Sequence, residues 1–169
     1  MKAKLIIEDK EIEIEISEEE YKKLQPPKEK KTGYERVPEN HDFYYEFANG
    51  RAESGFDERC FIDDAYYESA NYYSSKTVAE NNARADKLMR RLRRFSVEHR
   101  ECGVDFNDTD TKRYYIYYDY GNDELGANLV YRSKNFGAIY FDSEETAQAA
   151  INIFHDELIW YFTEYKDSL

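Results

Sequence analysis

The alternation of apolar and polar residues at the start of the chain predicts a β-hairpin. In the segment KLIIEDKEIEIEI at 4–16, two runs rich in isoleucine are separated by a polar turn, and the isoleucines of the second run alternate with glutamates. Ser17 can then cap a short helix, because Glu20 stands three residues on and completes a capping box. The hairpin and helix occupy residues 1–25, and residues 26–33, which begin with two prolines, form the predicted linker.

The apolar face of this hairpin is larger than its own short helix can cover. A two-stranded hairpin alone is marginally stable at best in water. The isoleucine face therefore needs either the main body of the protein or a second subunit, and the tether that contains the prolines allows exchange between protomers. Self-association as a homodimer is the expectation that follows.

Residues 34–169 contain a diverged internal repeat. An aromatic strand at 43–47 leads through polar hairpin residues to a helix, and an aromatic strand at 114–120 does the same. Three residues around the first helix start recur 68 positions later: Tyr72, Ser75 and Ala79 return as Tyr140, Ser143 and Ala147. Each copy is predicted to run strand, strand, short strand, helix.

The predicted fold class is therefore α+β: an N-terminal β-hairpin with a short helix, then two tandem repeats of a small antiparallel sheet with one packed helix. The first repeat occupies 34–102 and the second 103–169. Ser74 and Asp142 stand at equivalent places before the two helices and are the predicted N-caps, with Glu145 completing a capping box in the second. The repeats are expected to superpose, and one sheet continuous across both is compatible with the pattern.

Apolar residues at steps of three and four predict that each helix of the repeats packs through one side. The first helix has a narrow stripe: Val78, Ala85, Leu88 or Met89, Leu92 and Phe95. The second has a stripe that further apolar residues widen: Ala147, Ile151, Phe154, Leu158 and Phe162, with Ile153, Ile159 and Trp160 beside them. The second helix is therefore predicted to be the more buried one, and the first to expose a wide polar face.

The polar face of the first helix is strongly basic although the chain is acidic. The segment at 84–100 holds seven of the 24 basic residues and two acidic ones, in a protein of net charge −12. Six of these basic residues form the predicted partner-binding set: Arg84, Lys87, Arg91 and Arg94 along one side, with Arg90 and Arg93 flanking them. Guanidinium groups in this arrangement can bind phosphates or an acidic protein groove. The other interpretation is that the arginines pair with the chain's own carboxylates, such as Asp63 or Asp64.

Acidic residues are so abundant in this chain that some of them cluster by chance, without a function. Asp57, Glu58, Asp63 and Asp64 lie close together in a predicted hairpin, where solvated carboxylates are the ordinary outcome. Two functional interpretations stand beside that one. A metal-dependent nuclease needs two or three converging carboxylates, and closely spaced carboxylates on a rigid surface can imitate a phosphate backbone. These four residues are the candidate acidic mimic surface.

The composition narrows the class of protein further. Seventeen tyrosines and ten phenylalanines replace aliphatic residues, and tyrosine suits both half-buried strands and the centres of protein interfaces. Cys60 and Cys102 form no C-x-x-C pattern, and no apolar run resembles a signal peptide or a transmembrane span. We therefore expect a soluble intracellular protein without membrane contact, and the net negative charge restricts any nucleic-acid contact to a local patch.

The chain carries none of the sequence motifs that support a specific enzymatic reaction. It has no glycine-rich phosphate loop, no G-x-S-x-G and no H-E-x-x-H. The acidic run DFNDTD at 105–110 lacks the central glycine and the terminal glutamate of a calcium loop, so it is predicted to be a linker between the repeats. We expect no enzymatic activity, no metal and no cofactor, with a metal-dependent nuclease as the remaining enzymatic alternative.

Four segments give the chain a resemblance to a known group of proteins. They are MKAKLIIEDKEIEIEISEEEYKKL at the start, KKTGYERV after the linker, the basic segment YYSSKTVAENNARADKLMRRLRRFSVEHR, and IYFDSEETAQAAINIFHDELIWYFTEY near the end. Together they cover nearly the whole length. The chain resembles small accessory proteins of phages, plasmids and integrated elements of Firmicutes, especially Clostridia, and is similar in general build to anti-CRISPR inhibitors of type II Cas nucleases.

The resemblance implies a function in the cytoplasm of a bacterial host cell. It implies an anti-defence protein of a mobile element, and within that class an anti-CRISPR that binds a type II Cas effector, or its guide-RNA and DNA complex, and inhibits it stoichiometrically. The alternative is a phage DNA- or RNA-binding accessory or regulatory protein that places the six basic residues directly on phosphates. An excess of plain duplex DNA should compete with this second mode of binding and not with binding to protein alone.

Overall fold

The chain divides into two compact units, Met1–Lys31 and Thr32–Leu169. The computed structural model describes residues 2–7, 10–15, 17–19, 31–101, 103, 106–108 and 110–169. The boundary between the units falls inside the linker predicted at 26–33. Both predicted repeats lie in the second unit.

The first unit contains the predicted β-hairpin. Strand β1 (Lys2–Ile7) pairs antiparallel with strand β2 (Lys10–Glu15), and the register places Leu5 opposite Ile12. The alternating residue types are consistent with this pairing, because residues two apart share a face of the sheet. The two residues after Ser17 are helical, and the rest of the predicted short helix lies outside the described residues. The homodimer expected from this hairpin stays a prediction.

The first predicted repeat forms two strands and two helices. In chain order these are β3 (Asp42–Glu46), β4 (Ala52–Phe56), α1 (Phe61–Glu68) and α2 (Lys76–His99). β3 and β4 are antiparallel, and Tyr73, shortly before α2, forms an isolated antiparallel bridge to Tyr44 of β3. The predicted short strand is therefore a single bridge. Helix α1 lies partly where a hairpin was predicted.

The second predicted repeat forms three strands and one helix. In chain order these are β5 (Arg113–Asp119), β6 (Glu124–Val130), β7 (Tyr140–Phe141) and α3 (Glu144–Thr163). The strand order is β6-β5-β7 with antiparallel pairs, and in the first repeat β3 likewise lies between β4 and the Tyr73 bridge. The α+β class is confirmed, and the common strand order is compatible with a tandem repeat.

In the described residues of the second unit the two sheets are separate, so the structure shows no sheet continuous across both repeats there. Helix α2 contacts both the β3–β4 sheet and α3, whereas α3 contacts α2 and the β5 sheet. The larger apolar core lies on the seam between the two long helices: Leu88, Leu92, Phe95, Phe141, Ala147, Ala150, Ile151, Phe154 and Leu158. A smaller core joins α2 to the first sheet through Tyr73, Val78 and Ala79. Helix α2 is therefore packed along two of its sides.

The predicted packing stripes of both helices are buried, apart from half-buried Met89 and Phe162. The share of fully buried residues is similar in the two helices, eight of 24 in α2 and six of 20 in α3. Twelve residues of α2 and eight residues of α3 are exposed, so α3 has the smaller exposed share, as predicted, although its Ile153 is 61% exposed. Helix α2 is buried nearly as well because it contacts a sheet through one face and a helix through another.

The N-caps of α2 and α3 lie one residue beyond the predicted positions. The hydroxyl oxygens of Ser75 and Ser143 each accept a hydrogen bond from the amide three residues on, at 3.5 Å and 3.1 Å. Ser74 is not a cap because its hydroxyl donates to Glu35 instead, at 2.9 Å. The capping box predicted at Asp142 is likewise absent, since Ser143 occupies the cap position. The two observed caps are 68 residues apart, which is the spacing of the repeat.

Replacing Ser143 by alanine is expected to lower the free energy of unfolding by about 1 kcal/mol, because the first turn of α3 loses its side-chain acceptor. Urea unfolding followed by circular dichroism measures the change. Ser133→Ala, in an exposed loop, is the matched control and should change stability by less than about 0.5 kcal/mol. An equal effect of the two substitutions would contradict the assignment of Ser143 as the cap.

A buried arginine holds the segment that connects the repeats. The guanidinium of Arg113, a fully buried residue, donates to three backbone carbonyl oxygens: Asp108 at 2.6 Å, Thr111 at 2.9 Å, and Tyr131. The ring of Phe106 lies over the same guanidinium, 4.5 Å from its carbon. These contacts tie Phe106 and Asp108 of the predicted linker to the open end of the β5–β6 hairpin, where β5 begins and β6 ends.

Candidate partner-binding surface

Helix α2 carries all six predicted partner-binding residues. We call these residues the basic surface: Arg84, Lys87, Arg91 and Arg94 on one side of the helix, flanked by Arg90 and Arg93. All are exposed except Arg91, which is half-buried. Because α2 is packed on two other sides, this surface is presented by a rigid element of the fold.

Two of these arginines stack on aromatic rings of α3. The guanidinium carbon of Arg84 lies 3.7 Å from the centre of the Trp160 ring, and that of Arg91 lies 4.8 Å from the centre of the Phe154 ring. Arg84 has no ion-pair partner among the described residues. Stacking orients a planar guanidinium and leaves its N–H donors available at the edge. Arg84 is therefore oriented in advance for a carboxylate or a phosphate.

Two arginines form ion pairs inside the protein. Nη1 of Arg91 lies 2.5 Å from Oε2 of Glu157 in α3, and Nη2 of Arg90 lies 2.5 Å from Oε1 of Glu46 at the end of β3. Burial is the main cause that raises the pKa of Glu46, against the attraction of Arg90. The interpretation that the arginines pair with the chain's own carboxylates is therefore confirmed for Arg90 and Arg91. The predicted partners, Asp63 and Asp64, are wrong, because both carboxylates contact other residues.

The other three basic residues have no strong internal partner. Lys87 and Arg93 form no ion pair among the described residues. Nε of Arg94 lies 3.7 Å from Oε1 of Glu98, and both side chains are more than half exposed, a type of pair that contributes about 0.2–1 kcal/mol. The stem of Lys87 lies against the β3–β4 turn, where a Cβ added to Gly50 would come within 2.9 Å of the lysine Cδ. These side chains are available to a partner.

The predicted acidic mimic surface does not form as a set, and Asp57 is the first reason. This carboxylate is 0% exposed and accepts hydrogen bonds from Nε of Arg36 at 3.0 Å, the hydroxyl of Tyr72 at 2.7 Å and the amide of Arg59 at 2.9 Å. The Arg36 guanidinium is the main cause that holds the pKa of Asp57 well below its usual range. Burial, and then the Asp57 carboxylate, raise the pKa of Tyr72 to about 12. Asp57 is thus a structural carboxylate.

Asp63 and Asp64 are also used by the fold. Oδ2 of buried Asp63 accepts from the amides of Glu58 at 2.9 Å and Cys60 at 3.1 Å, which caps the first turn of α1. Asp64 forms an ion pair with Nη1 of Arg36 at 2.7 Å. The capping role of Asp63 explains why a helix begins where a hairpin was predicted. Of the four candidates, only Glu58 remains an exposed carboxylate without an ion pair among the described residues.

An apolar cavity of about 340 Å³ lies where α2, α3 and the β5 sheet meet. Leu92, Leu158 and Phe162 are among its lining residues, none of which is charged. Its volume is within the range of small-molecule sites, but its wall is the same helix seam that forms the larger core. The cavity can accept an apolar group and offers no charged side chain to orient one.

Neither a metal centre nor a membrane-spanning helix occurs in the part of the chain that the structure describes. No group of three or more histidine, cysteine, aspartate or glutamate side chains there is placed to hold a metal ion. No helix there combines the length and the apolar character needed to cross a bilayer.

The residues that sequence reasoning missed are those on α3 and β3 that orient the arginines. Arg84 meets Trp160 and Arg91 meets Phe154, so the numbers rise along α2 while they fall along α3. The two arginines are seven residues apart on one helix, and the two aromatic residues are six apart on the other. Contacts in this reverse order are typical of two antiparallel helices. That signal was present in the sequence. The contact of Arg90 with Glu46 had no comparable signal.

No family model, no curated protein and no solved structure matches this chain. The resemblance to accessory proteins of mobile elements therefore stays an expectation based on the sequence segments. The basic surface on α2 is the feature from which a function can be argued.

Proposed function

We propose that this protein is a non-enzymatic binding protein whose basic surface holds an acidic or phosphate-bearing surface of its partner. The observation that carries the proposal is the group formed by Arg84, Lys87 and Arg94, three exposed basic side chains on one side of α2 without a strong internal partner. The chain has 36 acidic residues that could neutralise such a group. Arg84 and Lys87 have no ion pair among the described residues and Arg94 has only a long, exposed one with Glu98, which supports binding over a passive solvated face.

The fixed geometry of the surface also supports binding. Trp160 orients Arg84, and Glu157 together with Phe154 orients Arg91 between the exposed residues. A partner that meets oriented guanidinium groups loses less side-chain entropy on binding than one that meets free arginines. The flat guanidinium edge suits carboxylates and phosphates alike, because both accept two parallel hydrogen bonds.

Within this class we propose an anti-defence protein of a mobile element, an anti-CRISPR that inhibits a type II Cas effector in the cytoplasm of its bacterial host. The partner is the effector or its complex with guide RNA and DNA. The support for this narrower proposal is the sequence resemblance, and a complex of protein with nucleic acid presents the anionic groups that the basic surface can bind. Exchange of the N-terminal hairpin between two copies remains part of the proposal.

A phage DNA- or RNA-binding accessory protein is the second candidate. Arg84, Lys87 and Arg94 favour it, since exposed cations along one helix face can contact successive phosphates. The net charge of −12, and the carboxylates of Glu98 and Glu157 beside the same face, act against it. Binding to protein, with at most a local phosphate contact, is therefore preferred.

Target cleavage by a purified type II effector loaded with guide RNA tests the proposal. We expect this protein to stop cleavage at stoichiometric amounts, without turnover, and we expect an excess of duplex DNA that lacks the target to leave the inhibition intact. The second candidate predicts binding to duplex DNA alone, with an affinity whose logarithm falls with log salt by about 0.9 per neutralised phosphate. Absence of both inhibition and complex formation with the effector would contradict the anti-CRISPR proposal.

A further inference from the structure

Helix α1 presents an apolar face that the described part of the protein leaves uncovered. Phe61 is 81% exposed and Ile62 is 50% exposed, and Ala65 beside them is also exposed. With about 100° between successive residues, these three positions and Ser69 fall on one side of the helix. Two large apolar side chains adjacent on one helix face form a patch and not an isolated exposed residue.

A shallow groove of about 270 Å³ runs along this face. Its lining consists of Phe61, Ile62, Ala65, Tyr66, Ser69 and Asn71. The ring of Tyr66 packs 4.5 Å from the ring of Tyr45, and the side-chain amide of Asn71 exchanges two hydrogen bonds with the backbone of Glu46. The walls of the groove are therefore anchored on β3, and the groove is a preformed feature.

The start of α1 is fixed as firmly as the groove. Asp63 caps the first turn from inside, and Asp64 is held by Arg36 at 2.7 Å. An apolar face on an anchored helix keeps its geometry when a partner approaches, which reduces the entropic cost of binding.

Three exposed carboxylates belong to the segments next to the apolar face. Glu58 lies shortly before α1, Glu68 ends the helix, and Glu53 stands opposite Tyr45 in the β3–β4 pair, and all three are exposed. The other three acidic residues at 53–68 do not belong to this exposed rim, because Asp57 and Asp63 are buried and Asp64 pairs with Arg36. An apolar centre with a charged rim is the composition of a protein interface. The acidic rim selects a basic partner and repels phosphates.

We propose that the α1 face is a second docking surface, and that it binds a basic amphipathic helix of a partner protein. Apolar side chains of that helix occupy the groove, and its lysines or arginines meet Glu53, Glu58 and Glu68. Tyr45 faces α1 whereas Tyr44, its neighbour in β3, packs with the core under α2, so α1 and α2 lie on opposite faces of the same sheet. This inference does not depend on the function proposed for the basic surface.

A synthetic peptide provides the test. The probe is a fluorescent amphipathic helix of lysine and leucine, about 14 residues or four turns long, and the comparison peptide has glutamate in place of lysine. Fluorescence anisotropy should show saturable binding of the lysine peptide to the full chain and at least tenfold weaker binding of the glutamate peptide. The variant Phe61→Ser, Ile62→Ser should weaken binding of the lysine peptide at least tenfold.

Two further variants separate the apolar contribution from the acidic one. Ile153→Ser removes an apolar residue of similar exposure from α3 and should leave peptide binding unchanged. The variant Glu53→Gln, Glu58→Gln, Glu68→Gln keeps Phe61 and Ile62 and should weaken binding at least threefold, with a reduced dependence on salt.

The proposal is overturned if the full chain does not bind the lysine peptide, if both peptides bind equally, or if Phe61→Ser, Ile62→Ser binds as tightly as Ile153→Ser. Light scattering tests a second copy as the occupant. If the full chain self-associates and Phe61→Ser, Ile62→Ser is monomeric, the face is an interface between copies of this chain, and the proposal of a basic partner helix is wrong.

Discussion

Replacing Asp57 by alanine is expected to lower the free energy of unfolding by about 3 kcal/mol, within the range found when one partner of a buried ion pair is removed. The carboxylate is completely buried and is the common acceptor for Arg36, Arg59 and the Tyr72 hydroxyl. Without it these donors lose the anion around which the start of α1 is built. Urea unfolding at neutral pH measures the loss.

Asp64→Ala is the matched control for this substitution. Asp64 pairs with the same Arg36, but its side chain is 48% exposed, and exposed pairs contribute at most about 1 kcal/mol. The loss for Asp57→Ala should therefore be at least about twice the loss for the control. Equal losses would show that the buried network around Asp57 does not stabilise the fold.

The contribution of the Asp57 charge should also disappear in acid. Arg36 holds the pKa of Asp57 below the value of about 3.9 expected in the unfolded chain, so the unfolded state binds more protons as the pH falls. The stability that this charge contributes is complete above that value and is lost progressively below it. The difference in unfolding free energy between the wild type and Asp57→Asn should therefore shrink when the pH is lowered from 7 towards 2. A difference that does not change with pH would contradict the assigned charge state.

The elements that the sequence predicts correctly are those with a strong local period. The alternating isoleucines predict β1 and β2, and the apolar stripes of α2 and α3 predict the residues that form the helix seam. The recurrence over 68 residues predicts the order of elements in the second half and matches the spacing of the observed caps, Ser75 and Ser143, whereas in the first half α1 interrupts the predicted order. Local signals decide these features, so a single sequence is enough to find them.

Helix α1 could not be predicted in the same way. It spans eight residues, its N-cap is Cys60 and not a residue that favours caps, and two of its residues are tyrosines, which favour strands. It depends on tertiary contacts, above all those of the buried Asp57 carboxylate just before it, which Arg36, 21 residues earlier in the chain, and the Tyr72 hydroxyl hold in place. Where such contacts form a short helix, periodicity in the sequence is a weak guide.

The sequence predicts only part of the candidate site, because contacts between distant residues leave no local pattern. The positions of the basic residues follow from the helical period, and the structure exposes five of the six. Which of them are paired depends on contacts 44 and 66 residues apart, Arg90 with Glu46 and Arg91 with Glu157. The acidic cluster shows the converse: Asp57 and Asp63 are close to exposed Glu58 in sequence, and yet both point into the fold.

Reversing the charge of Arg84, Lys87 and Arg94 together is expected to abolish partner binding and to leave the fold intact. These three side chains carry the proposed contact, and exposed substitutions change stability by only about 0.5 kcal/mol each. Arg91→Glu is unsuitable for this purpose, because it would place a second carboxylate beside Glu157, 2.5 Å from the present guanidinium nitrogen. A loss of binding in that variant could result either from a disturbed fold or from a lost contact with the partner, and the two causes could not be separated.

The matched control is the variant Lys76→Glu, Arg100→Glu, Lys112→Glu. It makes the same change in net charge with exposed residues outside the basic surface. Any effect of overall charge on the rate of association is therefore common to both variants. Circular dichroism and thermal unfolding establish that both are folded.

Isothermal titration calorimetry against a purified type II effector loaded with guide RNA is the most direct measurement of the central claim. We expect the wild type and the control variant to bind with affinities within about threefold of each other, and the variant of Arg84, Lys87 and Arg94 to bind at least about 100-fold more weakly. No binding by the wild type would contradict the proposed partner, and a folded triple variant that binds as tightly as the wild type would show that the basic surface is not the binding site.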